Sequence, residues 1–245
     1  MNVMNVIRLK TCGSTNSWLS GEAASLPHAT VVLAEEQTAG RGQRGNSWES
    51  EPGANLTFSL LLKPDGIAAR DQFLISEAVA LGIADAVAGF AGNHKVSVKW
   101  PNDIYVDDSK ICGILIENSL RGSKIGHSVV GIGINVNQQR FVSDAPNPVS
   151  LSMLTGSFYN LDAVLDKVLA AITLRLEQDP AARHADYMSR LWRRDGADFI
   201  DTASGCLFHA VIEDVAPTGH ITLRESDGTI RIYAFKEVKT LIGPG

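Results

Sequence analysis

Two stretches in the middle of the chain decide its fold: KICGILIE at Lys110–Glu117 and SVVGIGINV at Ser128–Val136. Both are short apolar runs rich in β-branched residues, a pattern typical of strands that are buried on both faces. A polar turn around Arg121–Ser123 lies between them, so the two strands are expected to pair as a hairpin. The N-terminal part of the chain is therefore predicted to contain a sheet that includes this buried pair.

Further strands and helices surround the hairpin. The other predicted strands are Ala29–Glu35, Asn55–Leu62 and Val96–Lys99. The helical spacing of apolar residues predicts helices at Asp71–Phe90, at Leu161–Gln178 and from Pro180 to about Arg194. Ser14 or Thr15 is expected to cap a short helix, because a side-chain oxygen there can accept from an unpaired backbone N–H. Strands and helices do not alternate strictly, which favours the α+β class, with helices packed on a mixed sheet.

The sequence changes in character at Gly196. From there, short strands are separated by turns that contain glycine. The predicted strands are Cys206–Val215, His220–Arg224, Thr229–Ala234 and Val238–Ile242. Four short strands in succession are typical of a small β-barrel. We therefore expect an α+β domain over residues 1–195 and a small β domain over residues 196–245.

Composition indicates an ordinary globular protein. The chain has 245 residues and a formal net charge of −5, with 44% hydrophobic and 20% charged residues. No apolar run approaches the roughly 20 residues that span a bilayer, and MNVMNVIRLK at the N-terminus lacks the pattern of a secretion signal. The cysteines at 12, 112 and 206 are widely spaced, which favours reduced thiols in the cytoplasm, with Cys112 as a small core residue. The acidic balance does not favour nucleic-acid binding.

The segment GRGQRGNSW at Gly40–Trp48 carries the densest chemical signal. Its alternating glycines allow backbone N–H groups to approach a ligand closely. Arg41 and Arg44 add planar donors that suit carboxylate or phosphate oxygens. The segment matches neither a Walker A loop nor a dinucleotide fingerprint. It therefore predicts an anion-binding loop, and a surface loop with solvated arginines is the alternative on this segment alone.

Two further segments carry polar groups at strand ends. In KWPND, residues 99–103, Asn102 offers a donor and an acceptor, and Asp103 offers a carboxylate that can take a proton; a simple turn is the alternative. Lys110 opens a predicted strand and is either solvated or directed into a cleft. Asn135 and Asn137 would share one face of the strand that carries them, where core hydrogen bonding and ligand binding are both possible roles.

Taken together and in this order, these segments resemble the biotin–protein ligases, and the resemblance covers nearly the whole chain. The matching segments are Ser14–Asn16 (STN), Gln37–Gly45 followed by Trp48, Lys99–Asp103 (KWPND), Lys110–Glu117 (KxxGILxE) and Gly131–Asn137 (GxGINxN). The resemblance implies an α+β ligase domain of the class II synthetase type, followed by an SH3-like barrel. It also implies two reactions: biotin and ATP give biotinyl-AMP and pyrophosphate, and the amine of a lysine on a carrier domain then takes the biotin.

The resemblance also implies roles for individual residues. The catalytic residues would be Lys110, Arg41, Arg44 and Asp103. The biotin-binding residues would be Ser14, Thr15, Asn16, Gln37, Arg41, Gly42, Gln43, Lys110 and Gly113. The ATP-binding residues would be Arg44, Trp48, Asn102 and Asn135. Mg²⁺ would accompany ATP, since a carboxylate and a triphosphate must be brought together against their charges, and no protein metal ligand is predicted.

The loop and the N-terminus both depart from the family pattern. The family loop commonly reads GRGRxGRxW, whereas Gln43 and Asn46 stand here at two of its arginine positions. The loss of charge at Gln43 makes retention of biotinyl-AMP an open question. Only 13 residues precede Ser14, fewer than a helix-turn-helix domain needs, so no DNA-binding role is expected.

Several alternatives remain at this point. A lipoate or octanoate ligase is the nearest one, and a non-catalytic protein that sequesters biotin or nucleotide is another. The expected partner is the biotin carboxyl carrier domain of a carboxylase, with no membrane partner. The chain is expected to be a monomer or a homodimer. The β domain could dock the carrier, help cover ATP or support a dimer.

Overall fold

The structure, a computed structural model, describes residues 5–142 and 147–242. It confirms the α+β class: a seven-stranded mixed sheet with packed helices is followed by a five-stranded antiparallel sheet. The strands are β1 (Val6–Cys12), β2 (Thr30–Gln37), β3 (Leu56–Leu62), β4 (Val96–Lys99), β5 (Asp103–Val106), β6 (Ser109–Arg121), β7 (Lys124–Ile134), β8 (Ala197–Asp201), β9 (Leu207–Val215), β10 (Ile221–Glu225), β11 (Ile230–Tyr233) and β12 (Val238–Thr240). The helices are α1 (Thr15–Glu22), α2 (Phe73–Ala88), α3 (Leu151–Thr155), α4 (Leu161–Glu177) and α5 (Pro180–Ser189).

The predicted hairpin is confirmed and lies inside the large sheet. The strand order is β1-β2-β3-β7-β6-β5-β4, with β1 parallel to β2 and every other pair antiparallel. Cys112 of β6 pairs with Ile134 of β7, and both are fully buried. Helix α2 packs against α4 so closely that a Cβ at Gly82 would lie 2.6 Å from the Cα of Ile172. This close approach packs the two helices tightly against each other.

Several predictions about local structure were wrong in whole or in part. Helix α5 ends at Ser189 instead of near Arg194, because the chain beyond it runs beside β4. There the N–H of Val98 donates to Arg190 O at 2.9 Å. Ser14 is the N-cap of α1, as predicted, but its side chain does not make the expected capping hydrogen bond. Strand β7 ends at Ile134, so Asn135 and Asn137 do not share a strand face.

Three strands have no counterpart in the sequence prediction. Strand β1 lies at the edge of the large sheet and has no fully buried residue, so it lacks the apolar run that marks β2 and β3. Strand β5 has four residues and begins at the last residue of the KWPND segment, which has the composition of a turn. Strand β8 is a five-residue strand, ADFID, with three residues that are not buried.

The C-terminal sheet is attached to the rest of the molecule through aromatic residues. Its order is β11-β10-β9-β8-β12. The indole N–H of Trp100 donates to Gly219 O at 3.0 Å. The ring of Phe235 lies 5.4 Å from Trp100 and 6.1 Å from Phe73, centre to centre. Strand β8 begins one residue after the predicted boundary, and the division into two domains stays a prediction. Across the described residues, no helix combines the length and apolarity that a membrane crossing requires.

Candidate active site

One cavity gathers nearly all the residues that the sequence motifs indicate. Its volume is about 800 Å³, and its wall combines the start of α1, the glycine loop (defined here as Gly40–Trp48), β6, β7 and part of the C-terminal sheet. The predicted site residues that line it are Ser14, Thr15, Asn16, Gln37, Arg41, Gly42, Gln43, Trp48, Asn102, Asp103, Lys110, Gly113 and Asn135. The side chain of Arg44 lies outside the described residues.

One end of the cavity is a network of hydroxyl and amide groups. The side-chain oxygen of Gln37 accepts from the backbone N–H of Thr15 at 2.7 Å and from its hydroxyl at 3.0 Å. The buried Ser59 hydroxyl lies 2.8 Å from the Thr15 hydroxyl and 2.6 Å from the side-chain oxygen of Asn16. With its oxygen engaged, the Gln37 amide has N–H groups to offer a ligand. This end suits a small ring that carries polar groups on its rim.

The floor of the cavity is a pair of strands with glycines in place of side chains. Gly113 of β6 is paired with Gly133 of β7. A Cβ at Gly113 would lie 2.8 Å from the ring of Trp48, and one at Gly133 would overlap the same indole. A Cβ at Gly131 would overlap the side chain of Asn16. The glycines therefore let Trp48 and Asn16 lie directly on the strands.

The glycine loop folds back on itself and is attached to β6. Two backbone hydrogen bonds, of 2.7 and 3.1 Å, close the loop across its base. The guanidinium of Arg41 forms a bidentate ion pair with Glu117, with Nη2 2.6 Å from Oε1 and Nη1 3.3 Å from Oε2. Arg41 lines the cavity as predicted, but its charge is directed to Glu117.

Two lysines and one carboxylate, Lys99, Lys110 and Asp103, line the same cavity. Lys110 Nζ lies 2.7 Å from Asp103 Oδ1 and 5.7 Å from the centre of the Trp48 ring. Burial lowers the pKa of Lys99, the charge of Asp103 offsets part of this lowering, and the charge of Lys110 adds to it. An anion that enters here would meet two amines whose positive charge only one carboxylate balances, which favours its binding.

The two predicted nucleotide-binding asparagines differ in whether a buried side-chain atom lacks a hydrogen-bond partner among the described residues. Asn102 donates its side-chain amide to Ile114 O at 2.7 Å. Asn135 donates to Val149 O at 3.1 Å. Its side-chain oxygen is buried and, among the described residues, has no hydrogen-bond partner. Buried polar atoms are normally satisfied, so the Asn135 oxygen is available to a donor on a ligand.

The C-terminal sheet contributes residues to the cavity that the sequence motifs did not indicate. They are Lys236, Lys239 and Ile242. The backbone of Lys236 has φ +71°, a conformation that favours glycine, and its carbonyl accepts from the Thr202 hydroxyl at 2.7 Å. Strained backbone is concentrated at functional sites. These lysines extend the positive charge of the cavity onto the second sheet.

Other site residues were also missed, for reasons of position along the chain. Lys99 and Glu117 lie inside the quoted motifs but were given no role. The spacing of residues in the sequence does not reveal which partner each charged side chain contacts. Ser59 stands in the middle of a predicted buried strand with nothing around it to mark it. Only the fold brings it against Thr15 and Asn16.

Comparison with known proteins gives the family. The family model of the Biotin/lipoate A/B protein ligase family matches residues 9–135, slightly more than half of the chain. The chain belongs to this family. The matched range contains all the motifs that build the cavity except the last two residues of the GxGINxN segment.

Two curated relatives and one solved structure of the ligase family are similar to the chain. The bifunctional ligase/repressor BirA of Bacillus spizizenii is 34% identical over 66% of this chain and 48% of its own length. The biotin--[acetyl-CoA-carboxylase] ligase of Paracoccus denitrificans is 31% identical over 88% of this chain and 92% of its own length. The biotin protein ligase from Aquifex aeolicus in complex with biotin and ATP has a TM-score of 0.80 and 25% identity, covering 98% of this chain and 99% of that chain. The chain spans about half the length of the BirA relative.

Proposed function

We propose that the protein is an ATP-dependent biotin–protein ligase, which forms biotinyl-5′-AMP and transfers biotin to a lysine of a biotin carboxyl carrier domain. The observation that carries the proposal is that one cavity joins a polar ring-binding end to the cluster of Lys99, Asp103 and Lys110. Support also comes from the Aquifex aeolicus ligase, whose structure holds biotin and ATP. That relative covers nearly the full length of this chain.

In the first step, a carboxylate oxygen of biotin attacks the α-phosphorus of ATP, and the bond from that phosphorus to pyrophosphate breaks. Two anions must meet, so cations placed around the point of attack lower the barrier. Asp103 holds Lys110 there by an ion pair, and Lys99 lines the same cavity. Each entering negative charge stabilises the ammonium form of Lys99, which raises its lowered pKa toward the ordinary value.

In the second step, the amine of the carrier lysine attacks the carbonyl carbon of biotinyl-AMP, and AMP leaves with the electrons of the broken C–O bond. The attacking amine arrives as an ammonium and must lose a proton. Asp103 lines the cavity and is the carboxylate nearest Lys110. We assign it the task of orienting the amine and accepting its proton.

The cofactor and the compartment belong to the same proposal. Among the described residues, no three of the His, Cys, Asp and Glu side chains converge on a metal site. Mg²⁺ would therefore enter bound to the phosphates of ATP, where it neutralises charge. The cysteines Cys12, Cys112 and Cys206 are free thiols, which supports a reducing compartment such as the cytoplasm.

The direct test is ATP–pyrophosphate exchange with biotin, followed by mass spectrometry of a candidate carrier domain. We expect exchange that depends on biotin, not on lipoate, and a carrier that gains the mass of one biotinyl group. Lys110→Ala should lower exchange by at least about a hundredfold, whereas Lys124→Ala, an exposed lysine outside the cavity, should not. Biotin binding without exchange in the wild type would instead support a sequestering protein.

A further inference from the structure

The bidentate ion pair between Arg41 and Glu117 joins the glycine loop, whose Arg41 lines the cavity, to strand β6 across 76 residues of the chain. The two groups are aligned fork to fork, a geometry that adds both strength and direction to the interaction. Arg41 Nη1 also donates to the hydroxyl of Ser17 at 3.2 Å. Three contacts therefore hold one guanidinium in place at the edge of the cavity.

Glu117 is also bound to the ring-binding end of the cavity. Its Oε2 accepts from the side-chain amide of Asn16 at 2.9 Å. The side-chain oxygen of Asn16 accepts a hydrogen bond from the buried Ser59 hydroxyl. One carboxylate thus connects the polar network at the ring-binding end to the glycine loop.

The glycine loop is fixed to the same face of β6 at two points. Gly113 and Glu117 are four residues apart on β6, so they face the same side of the sheet. The indole of Trp48 lies on Gly113, and Arg41 is held by Glu117. A loop rich in glycine has many conformations available, so these two attachments decide whether it lies over the cavity.

From this geometry we propose that Glu117 is a positioning residue that latches the glycine loop over the cavity through Arg41. The inference rests on the proposed function and adds to it. The latch sets how long biotin and biotinyl-AMP stay bound, and it must open for biotin to enter and for AMP to leave. In this arrangement Arg41 holds the loop in place, and Lys99 and Lys110 supply the positive charge that binds the substrate anions.

If Arg41 instead binds a substrate anion, a change at Glu117 has the opposite effect on substrate retention. If Arg41 leaves Glu117 to hold a substrate anion, the carboxylate competes with that substrate. Glu117→Gln would then free the arginine and strengthen substrate binding. If the pair is a latch, Glu117→Gln opens the loop and weakens retention. One variant therefore separates the two roles.

The experiment measures the dissociation rate of labelled biotin and of biotinyl-AMP from the full-length protein. We expect Glu117→Gln and Arg41→Gln each to accelerate dissociation about tenfold, and the double variant to be no faster than either single one. The KM for biotin should rise more than kcat falls in Glu117→Gln. The reversed pair Arg41→Glu with Glu117→Arg should recover part of the retention. Glu35→Gln, an exposed carboxylate on β2 outside the cavity, is the matched control.

Three results would overturn the latch: a dissociation rate in Glu117→Gln that equals or falls below that of the wild type, additive effects in the double variant, or no recovery in the reversed pair. If Glu117→Gln does not fold, as judged by circular dichroism, Arg41→Gln and the reversed pair still decide the matter. Failure of the proposed function has a separate signature, because the wild type itself would then form no biotinyl-AMP.

Discussion

At the scale of single residues, Gln43 is the position where this chain departs most clearly from the loop of its family. It lines the cavity and carries no charge, where the loop of the biotin–protein ligases that the chain resembles commonly has an arginine. Biotinyl-AMP carries a negative phosphate, so an added cation should hold it more tightly. We expect Gln43→Arg to slow the release of biotinyl-AMP about tenfold, measured as free intermediate when no carrier is present.

A change of opposite charge at the same position is the control. Gln43→Glu should release the intermediate faster than the wild type, because its carboxylate repels the phosphate. If the two variants release biotinyl-AMP at the same rate, the charge at this position does not govern retention, and the backbone of the loop carries the contact.

Asp103 supports a second prediction at this scale. It lies 2.7 Å from Lys110, and it is our candidate for accepting the proton of the carrier lysine. Asp103→Asn keeps the shape and removes the base, so transfer from supplied biotinyl-AMP to the carrier should fall by about a hundredfold or more. Starting from preformed biotinyl-AMP isolates this step from the chemistry of ATP. The exposed Asp65, changed to Asn, is the control, and equal transfer rates in wild type and Asp103→Asn would refute the assignment.

At the scale of elements, strands with a clear apolar pattern were predictable from the sequence, whereas the edge strand β1 and the short strands β5 and β8 were not. The prediction for Val96–Lys99 matches β4 residue for residue, and the start of β6 is only one residue off, at Ser109. These strands carry continuous or alternating apolar residues, which a pattern can detect. Strand β1 has no fully buried residue, and its pairing with β2 depends on the sheet as a whole.

The cavity was predictable to the extent that its residues lie in contiguous motifs. The STN, glycine-loop and KWPND segments could be read together because each has a recognisable local composition. The sequence does not predict the pairing of Arg41 with Glu117 or the position of Lys236 on the cavity wall. These residues are far along the chain from the groups that they meet, and only folding brings them together.

The turn between β11 and β12 supports a prediction in which stability and activity move in opposite directions. Lys236 has φ +71°, so Lys236→Gly removes backbone strain and should stabilise the protein by about 1 kcal/mol. The same change removes a positive charge from the cavity wall, so the KM for ATP should rise several-fold. Urea unfolding and exchange assays measure the two effects. Lys236→Gln should raise KM without adding stability, and an unchanged KM in both variants would exclude Lys236 from nucleotide binding.

At the scale of the whole molecule, the two sheets are joined by hydrogen bonds, aromatic packing and a charged bridge. His184 of α5 lies 2.7 Å from Glu77 of α2 through Nδ1 and 3.0 Å from Asp214 of β9 through Nε2. Glu77 is 1% exposed. Because Asp214 belongs to the C-terminal sheet, the imidazole links that sheet to the buried Glu77 of α2.

The protonation of this bridge predicts how stability depends on pH. Burial by itself lowers the pKa of His184, but its hydrogen bonds to Glu77 and Asp214 and their charges outweigh burial and raise the pKa above its ordinary value. Burial raises the pKa of Glu77, and the charge of Asp214 adds to this rise. The hydrogen bond and charge of His184 and the charge of Arg183 oppose it. Both groups therefore hold protons more tightly in the folded protein than in the unfolded chain. It follows that the free energy of unfolding falls as pH rises through the pKa values of these two groups.

We expect the imidazolium to contribute its full stabilisation below the ordinary histidine pKa of about 6.5 and to lose it as pH rises past the raised pKa. Urea unfolding at about pH 6 and about pH 9 measures this loss. In the double variant Glu77→Gln with His184→Gln, two amides replace the charged pair, so the pH-dependent part should shrink. His209→Gln removes an exposed histidine paired with Asp198 and should leave the pH dependence as in the wild type, because exposed ion pairs contribute little. An equal pH dependence in the wild type and the double variant would show that the bridge does not govern how the free energy of unfolding depends on pH.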